Sequence, residues 1–106
     1  MLPIELQSPR EMSLALAGRV RRLRLDRGWT QQEMAERAGV APDTYRRFER
    51  TGSISLERLL KLAVVLDACA GVDQLFVPPP AGSLDELERR DLHRSRTRGR
   101  RRDAKA

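Results

Sequence analysis

The stretch from Thr30 to Arg50, TQQEMAERAGVAPDTYRRFER, constrains the fold more than any other part of the chain. It reads as two short helices around a glycine turn. In the second helix Asp43, Arg46, Arg47 and Arg50 recur at i, i+3, i+4 and i+7, which is one side of a helix. Tyr45 and Phe48 take the other side with Thr44, joined by Val40 just ahead of the helix. Such a helix, apolar inside and arginine-rich outside, suits a groove lined with phosphates and base edges. An ordinary solvated face accounts for the same stripe, so the stripe alone does not choose between them.

The first half of the stretch chooses. Thr30 is a good N-cap, and Glu33 stands where a capping box needs it. Met34, Ala35 and Ala38 make a small apolar face that lets two helices cross closely. Gly39 follows at a position where φ is usually positive and a Cβ is a penalty. Gly39, Val40 and Ala41 supply the three-residue turn of a helix-turn-helix. Pro42 opens the next helix, where its missing N–H costs little.

With those residues in view, GWTQQEMAERAGVAPDTYRRFERTG resembles the helix-turn-helix of the Xre or lambda-repressor-like regulators. Gly28, Trp29, Thr30, Gln31, Ala35, Gly39, Arg47, Phe48 and Glu49 match the family pattern in order. The resemblance covers roughly Ser13 to Phe76. It implies an all-α fold: a compact five-helix lambda-repressor-like DNA-binding domain, here with a C-terminal extension. It also implies that the helix at 42–50 enters the major groove of double-stranded DNA, while Gln31, at the start of the preceding helix, bonds a phosphate. The opening of the second helix departs from the family, which often has Ser, Gln or Thr there. Ala41 is a poor cap, Pro42 offers no donor, and Asp43 either accepts from cytosine N4 or only stabilises the helix N-terminus.

At 106 residues the chain holds one small domain plus extensions. No apolar run approaches the ~20 residues of a membrane span, and no apolar h-region marks a secretory signal. The one cysteine, Cys69, fits a reducing compartment. The expected location is the cytoplasm, on the nucleoid when DNA is bound. The net charge of +6 is unevenly placed. From Arg89 onward there are nine Lys+Arg and two acids, whereas the preceding 88 residues hold twelve and thirteen. The high isoelectric point therefore describes the tail, and the case for DNA binding by the domain rests on the arginine stripe.

Residues 1–8 read as an N-terminal arm, in which Leu2, Ile4 and Leu6 alternate as in an edge strand. Ser8, Pro9 and Glu11 form an N-cap, a first-turn proline and a capping box. The domain then spans 9–77, with the motif at 30–50. Its first helix runs from Pro9 to about Asp26, with Leu16, Val20 and Leu23 inward and Gly28 ending it. Arg24 shares that inward face. A buried unpaired charge is expensive, and Glu49, near the end of the helix at 42–50, is the natural partner. The resemblance also implies an Arg–Glu pair at these positions, and Arg24 and Glu49 are assigned a structural role over direct DNA contact. Trp29, Tyr45, Phe48 and Phe76 fall at core positions; base stacking by them would need exposure and clustering.

Ser55 caps a fourth helix to about Leu66, with Leu56, Leu59, Leu60, Ala63 and Leu66 at helical spacing. Asp67 to Gly71 reads as a turn and Val72 to Phe76 as a short fifth helix. Cys69 reads as a small hydrophobe at the core edge. Residues 78–106 comprise a proline-rich linker at Pro78–Pro80, a further helix from Ser83 to about His93, and a basic disordered tail. That tail binds phosphate non-specifically, reaches an acidic partner, or only solubilises.

Nothing suggests an enzyme. His93 stands beside the tail without a carboxylate cluster, and CxxC, HExxH, Walker, GxGxxG and nucleophile-elbow patterns are missing. No catalytic residue, metal or cofactor is expected. The expected function is sequence-specific double-stranded DNA binding as a transcriptional repressor. Thr30, Gln31, Gln32, Asp43, Thr44, Arg46, Arg47 and Arg50 form its DNA-binding set. A domain this small needs a second copy for useful affinity, so a homodimer on a palindromic operator is expected, with the region after the fourth helix as its preferred interface. The stretch TYRRFERTGSISLERLLKLAVVLDA also resembles regulators paired with kinase-type toxins in bacterial toxin–antitoxin operons. The alternative is therefore an antitoxin or protein-interaction module whose DNA binding is secondary.

Overall fold

The computed structural model describes residues 3–80 and 84–105, with side chains described as far as Arg96. All regular structure among them is helical. Helices α1 (Pro9–Asp26), α2 (Gln31–Ala38), α3 (Pro42–Thr51), α4 (Leu56–Val65) and α5 (Cys69–Asp73) follow a 3-10 turn at Ile4–Leu6, and α6 (Leu84–Lys105) comes last. The chain divides into two compact units, Met1–Leu75 and Phe76–Ala106. Among the described residues no helix is long and apolar enough to cross a membrane.

Local chemistry sets most boundaries in the first unit. Ser8 Oγ accepts from the Glu11 backbone N–H and Glu11 returns a bond to Ser8 N, so the capping box forms. Thr30 and Glu33 repeat this at α2. Ala41, at the N-cap of α3, makes no side-chain cap bond; Pro42 starts that helix without one. Ser55 Oγ accepts from Arg58 N at α4. Gly28, Gly39 and Gly52 end three helices with φ of +72°, +70° and +77°.

The core joins Ala17 and Val20 of α1, Met34, Ala35 and Ala38 of α2, Val40 of the turn, Tyr45 and Phe48 of α3, and Leu62 and Leu66 of and after α4. Met34, Ala35, Tyr45 and Leu62 have no measurable exposure. Small Ala35 and Ala38 let α2 approach α3, and α1 packs most closely on α3. At about 25 cal/mol per Å2 of apolar surface, the two rings and two long aliphatic side chains dominate the burial.

Several sequence expectations need correction. On α1, Val20 and Arg24 are buried and Leu23 packs partly buried against the core as expected, but Ala17 takes the inward place expected of Leu16, which is 36% exposed. Ile4 and Leu6 belong to an exposed 3-10 turn rather than a strand, for no neighbouring strand pairs with them among the described residues. The fifth helix begins at Cys69, not Val72, because Asp67 adopts φ +54° and Ala68 N bonds Ala63 O, compressing the turn to three residues. That turn brings Cys69 to the surface instead of the core edge. Phe76 is 98% exposed: α5 ends at Asp73, and Phe76 itself lies at φ +58°, outside any helical face. Leu56 is also exposed, on the outer side of α4's first turn.

In the second unit, α6 runs to Lys105, past the His93 boundary read from the sequence, and so takes in residues expected to be disordered. Arg90 pairs with Glu86 at i−4 and Arg94 with Asp91 at i−3, which supports the middle of the helix. Arg90 Nη1 also donates to Pro79 O at 2.6 Å, tying the proline segment to the helix. The expected cap, Ser83, lies outside the described residues.

Candidate nucleic-acid interface

The outward side of α3 is built by what anchors its inward side. Tyr45 and Phe48 are buried, their rings 6.4 Å apart and tilted by 59°. With those two fixed, Asp43, Arg46, Arg47 and Arg50 are all exposed. Thr44, between the faces, is half-buried.

The four exposed residues differ in their partners. Arg46 Nη1 donates to Asp43 Oδ1 at 3.1 Å, and its Nη2 donates to Gln32 Oε1 of α2 at 3.2 Å. Gln32 in turn donates to Glu36 at 3.0 Å. Arg46 therefore bridges the two helices of the motif. Its ion pair with fully exposed Asp43 is screened by water and easily exchanged. Among the described residues, neither the Arg47 nor the Arg50 side chain has a hydrogen-bond or ion-pair partner.

Beneath the arginine face lies a network that fixes α3 to α1 and α2. Arg24 Nε donates to Glu49 Oε2 at 2.7 Å and Nη2 to Glu49 Oε1 at 3.1 Å, a two-pronged pair. Arg24 Nη1 donates to the Trp29 carbonyl at 2.8 Å. Gln31 Nε2 donates to Glu49 Oε1 at 3.1 Å. The side chains of Arg24 and Glu49 are only 8% and 5% exposed. Burial pushes the Glu49 carboxyl up, but Arg24, the nearby Tyr45 hydroxyl and the Gln31 amide outweigh it and hold it below the usual carboxylate range. Arg24 is raised, chiefly by its bond to Glu49. Burial, then the Glu49 carboxylate, holds the Tyr45 hydroxyl far above its usual range, so it stays neutral. That hydroxyl is buried without a partner at hydrogen-bond geometry, with the Glu49 carboxylate and the Arg24 guanidinium close by.

The structure thus brings Arg24 and Glu49 together as the burial argument required. It also attaches Gln31 to Glu49, a contact that the sequence did not suggest. Trp29 is half-buried against the core, and its ring carries Arg37 at 4.5 Å and Arg27 at 5.6 Å. Arg27 also donates to Leu66 O at 3.0 Å, closing α1 on the end of α4. Arg21 approaches Glu49 at 3.9 Å from an exposed position. Its place three residues before Arg24 was the signal for it; nothing in the spacing foretold Arg37.

A helix-turn-helix family model matches residues 20–70, which takes in α2, α3, α4 and the network below them. A protein of Neisseria meningitidis serogroup B (strain ATCC BAA-335 / MC58), described as a hypothetical transcription factor, is 33% identical over 79 residues. That match covers 74% of this chain and 73% of the relative. With the turn glycine and the buried Arg–Glu pair where the family pattern places them, the chain belongs to the Xre or lambda-repressor-like helix-turn-helix family of DNA-binding transcription regulators.

Proposed function

We propose that this regulator is a sequence-specific repressor that reads the major groove with α3. The observation that carries the reading is the pair Arg47 and Arg50, exposed and unpartnered on a helix whose opposite side is locked in the core. Arg46 and Arg47 are assigned to base or phosphate contact, and arginine on guanine O6 and N7 contributes roughly 1–3 kcal/mol of discrimination. Arg50, at the C-terminal end of α3, takes a phosphate. Thr30, Gln31 and Gln32 place the N-terminus of α2 against the backbone, where its unbonded N–H groups favour an anion. Asp43 and Thr44 border the same face. Arg24 and Glu49 hold the helix rather than touch DNA.

A homodimer on a palindromic operator completes this reading. The mostly apolar groove lined by Leu60, Ala63, Val64, Cys69 and Val72, with Asp73 beside them, favours the region after α4 as the contact.

The test is binding to the chain's own upstream promoter fragment over a salt series. Wild type should bind with steep salt dependence. Arg46→Ala and Arg47→Ala should each weaken it; unchanged binding by both, at every salt, overturns the reading. The alternative of an antitoxin docked on a kinase-type toxin draws on the exposed apolar run Leu75, Phe76 and Val77. Co-purification with the neighbouring gene's product, at unaltered promoter affinity in the arginine variants, would favour it.

A further inference from the structure

The charge of this chain and its reading helix are in different places. The unit that presents α3, Met1–Leu75, holds twelve Lys+Arg against ten acids, a net +2, whereas residues 76–106 hold nine against five, a net +4 in less than half the length. Asp43 further offsets Arg46 on the reading face itself. From Arg89 to the end there are nine Lys+Arg and two acids. All nine fall within α6.

The register of α6 orders that charge. Positions 90, 94, 98, 101 and 105 recur at steps of four and three, which is one helix face, and each is Arg or Lys. Positions 89, 96 and 100 make a second basic line. Arg90 and Arg94 are paired with Glu86 and Asp91, whereas Arg89 and Arg96 are exposed with no partner among the described residues. The apolar residues Leu84, Leu87 and Leu92 all lie in the first half of the helix. Beyond Leu92 only Ala104 and Ala106 are apolar, so this part is not made to pack on a protein core. Arginines four apart repel one another and weaken a helix in water. Neutralisation by a polyanion removes that penalty.

We propose that the 89–105 part of α6 is a second, sequence-independent binding element for the phosphate backbone of duplex DNA. It rests on α3 being the specific reader, and adds non-specific affinity to that of the weakly basic unit that carries α3. A rise of 1.5 Å per residue makes the basic part about 24 Å long. Duplex DNA presents one charge per about 1.7 Å, so a run of that length meets roughly fourteen phosphate charges. An acidic protein partner offers no such regular array.

The test uses the full chain and a variant carrying R94Q, R96Q, R98Q, R100Q, R101Q and R102Q. Both are titrated with a mixed-sequence duplex, the promoter fragment and polyglutamate, between about 50 and 200 mM salt. The expected result is at least tenfold weaker binding of both duplexes by the variant. The slope of log affinity against log salt should fall by about three to five, with the promoter-to-mixed ratio kept. Circular dichroism should show helix content rising on duplex addition for wild type and not for the variant. Equal affinity and slope for the two proteins overturns the proposal, as does substitution-sensitive binding of polyglutamate without any of duplex. Loss of promoter preference in wild type, with the slope difference intact, would instead sink the reading of α3 and leave α6 as proposed.

Discussion

A Cβ built on Gly52 would lie 2.8 Å from the carbonyl carbon of Ser13. The end of α3 thus touches the backbone of α1, and only a residue without a side chain fits. Gly52 is also left-handed, at φ +77°. Gly39, at φ +70°, is left-handed too, but a Cβ there meets nothing within 4 Å. Gly39→Ala should therefore cost about 1–2 kcal/mol, the conformational penalty alone. Gly52→Ala should cost clearly more, because the backbone of Ser13 has nowhere to yield. Urea unfolding of the two variants compares them directly.

The Arg24–Glu49 pair should behave as a buried unit. Arg24→Ala or Glu49→Ala strands one charge in a nearly dry site, and each should destabilise by about 3–5 kcal/mol. The joint replacement Arg24→Met with Glu49→Leu should lose far less, since no charge is left behind. A double-mutant cycle by thermal unfolding gives the coupling. Independent, additive losses would mean that the pair is not a unit.

Acid sensitivity follows from the same carboxylate. Glu49 is depressed in the fold, so its contribution is complete above its unfolded value, about 4.3. As pH falls past that value the unfolded chain takes up the proton first, and the contribution shrinks until it is gone below the folded value. Urea midpoints should drop through this window. Glu49→Gln should start lower at neutral pH and lose less on acidification.

Arg47 and Arg50 should separate stability from binding. With both exposed and unpartnered, Arg47→Ala and Arg50→Ala should leave the unfolding midpoint within about 0.5 kcal/mol of wild type. Arg47→Ala should relax preference at one base pair, whereas Arg50→Ala should weaken all sequences alike and lower the salt slope by about one. Fluorescence anisotropy against single-base operator variants reads both.

Asp43 holds Arg46 and faces outward, so it opposes phosphate. Asp43→Asn should free the guanidinium and raise duplex affinity by about two- to tenfold at low salt, with the gain fading as salt rises. A loss of preference at one base pair in the same titration would show that Asp43 itself accepts from a base.

Those parts of the fold whose signals are local could be read from the residues alone. Ser8 with Glu11, Thr30 with Glu33, Gly39 before Pro42, and Ser55 each satisfy or relieve backbone groups within a turn of themselves, so their geometry needs no distant partner. Arg24 with Glu49 was legible because a charge on an inward face must be answered and few acids could reach it. Tertiary structure decided what depends on how one helix meets another. Whether Leu16 or Ala17 faces inward turns on how closely α3 approaches, and Gln31 meets Glu49 only because α2 crosses the end of α3. Cys69 faces outward because left-handed Asp67 shortened the turn before α5, and Phe76 because α5 ends at Asp73 and Phe76 is itself left-handed. Apolar spacing says which residues share a face; which face is covered depends on contacts between residues far apart in the chain.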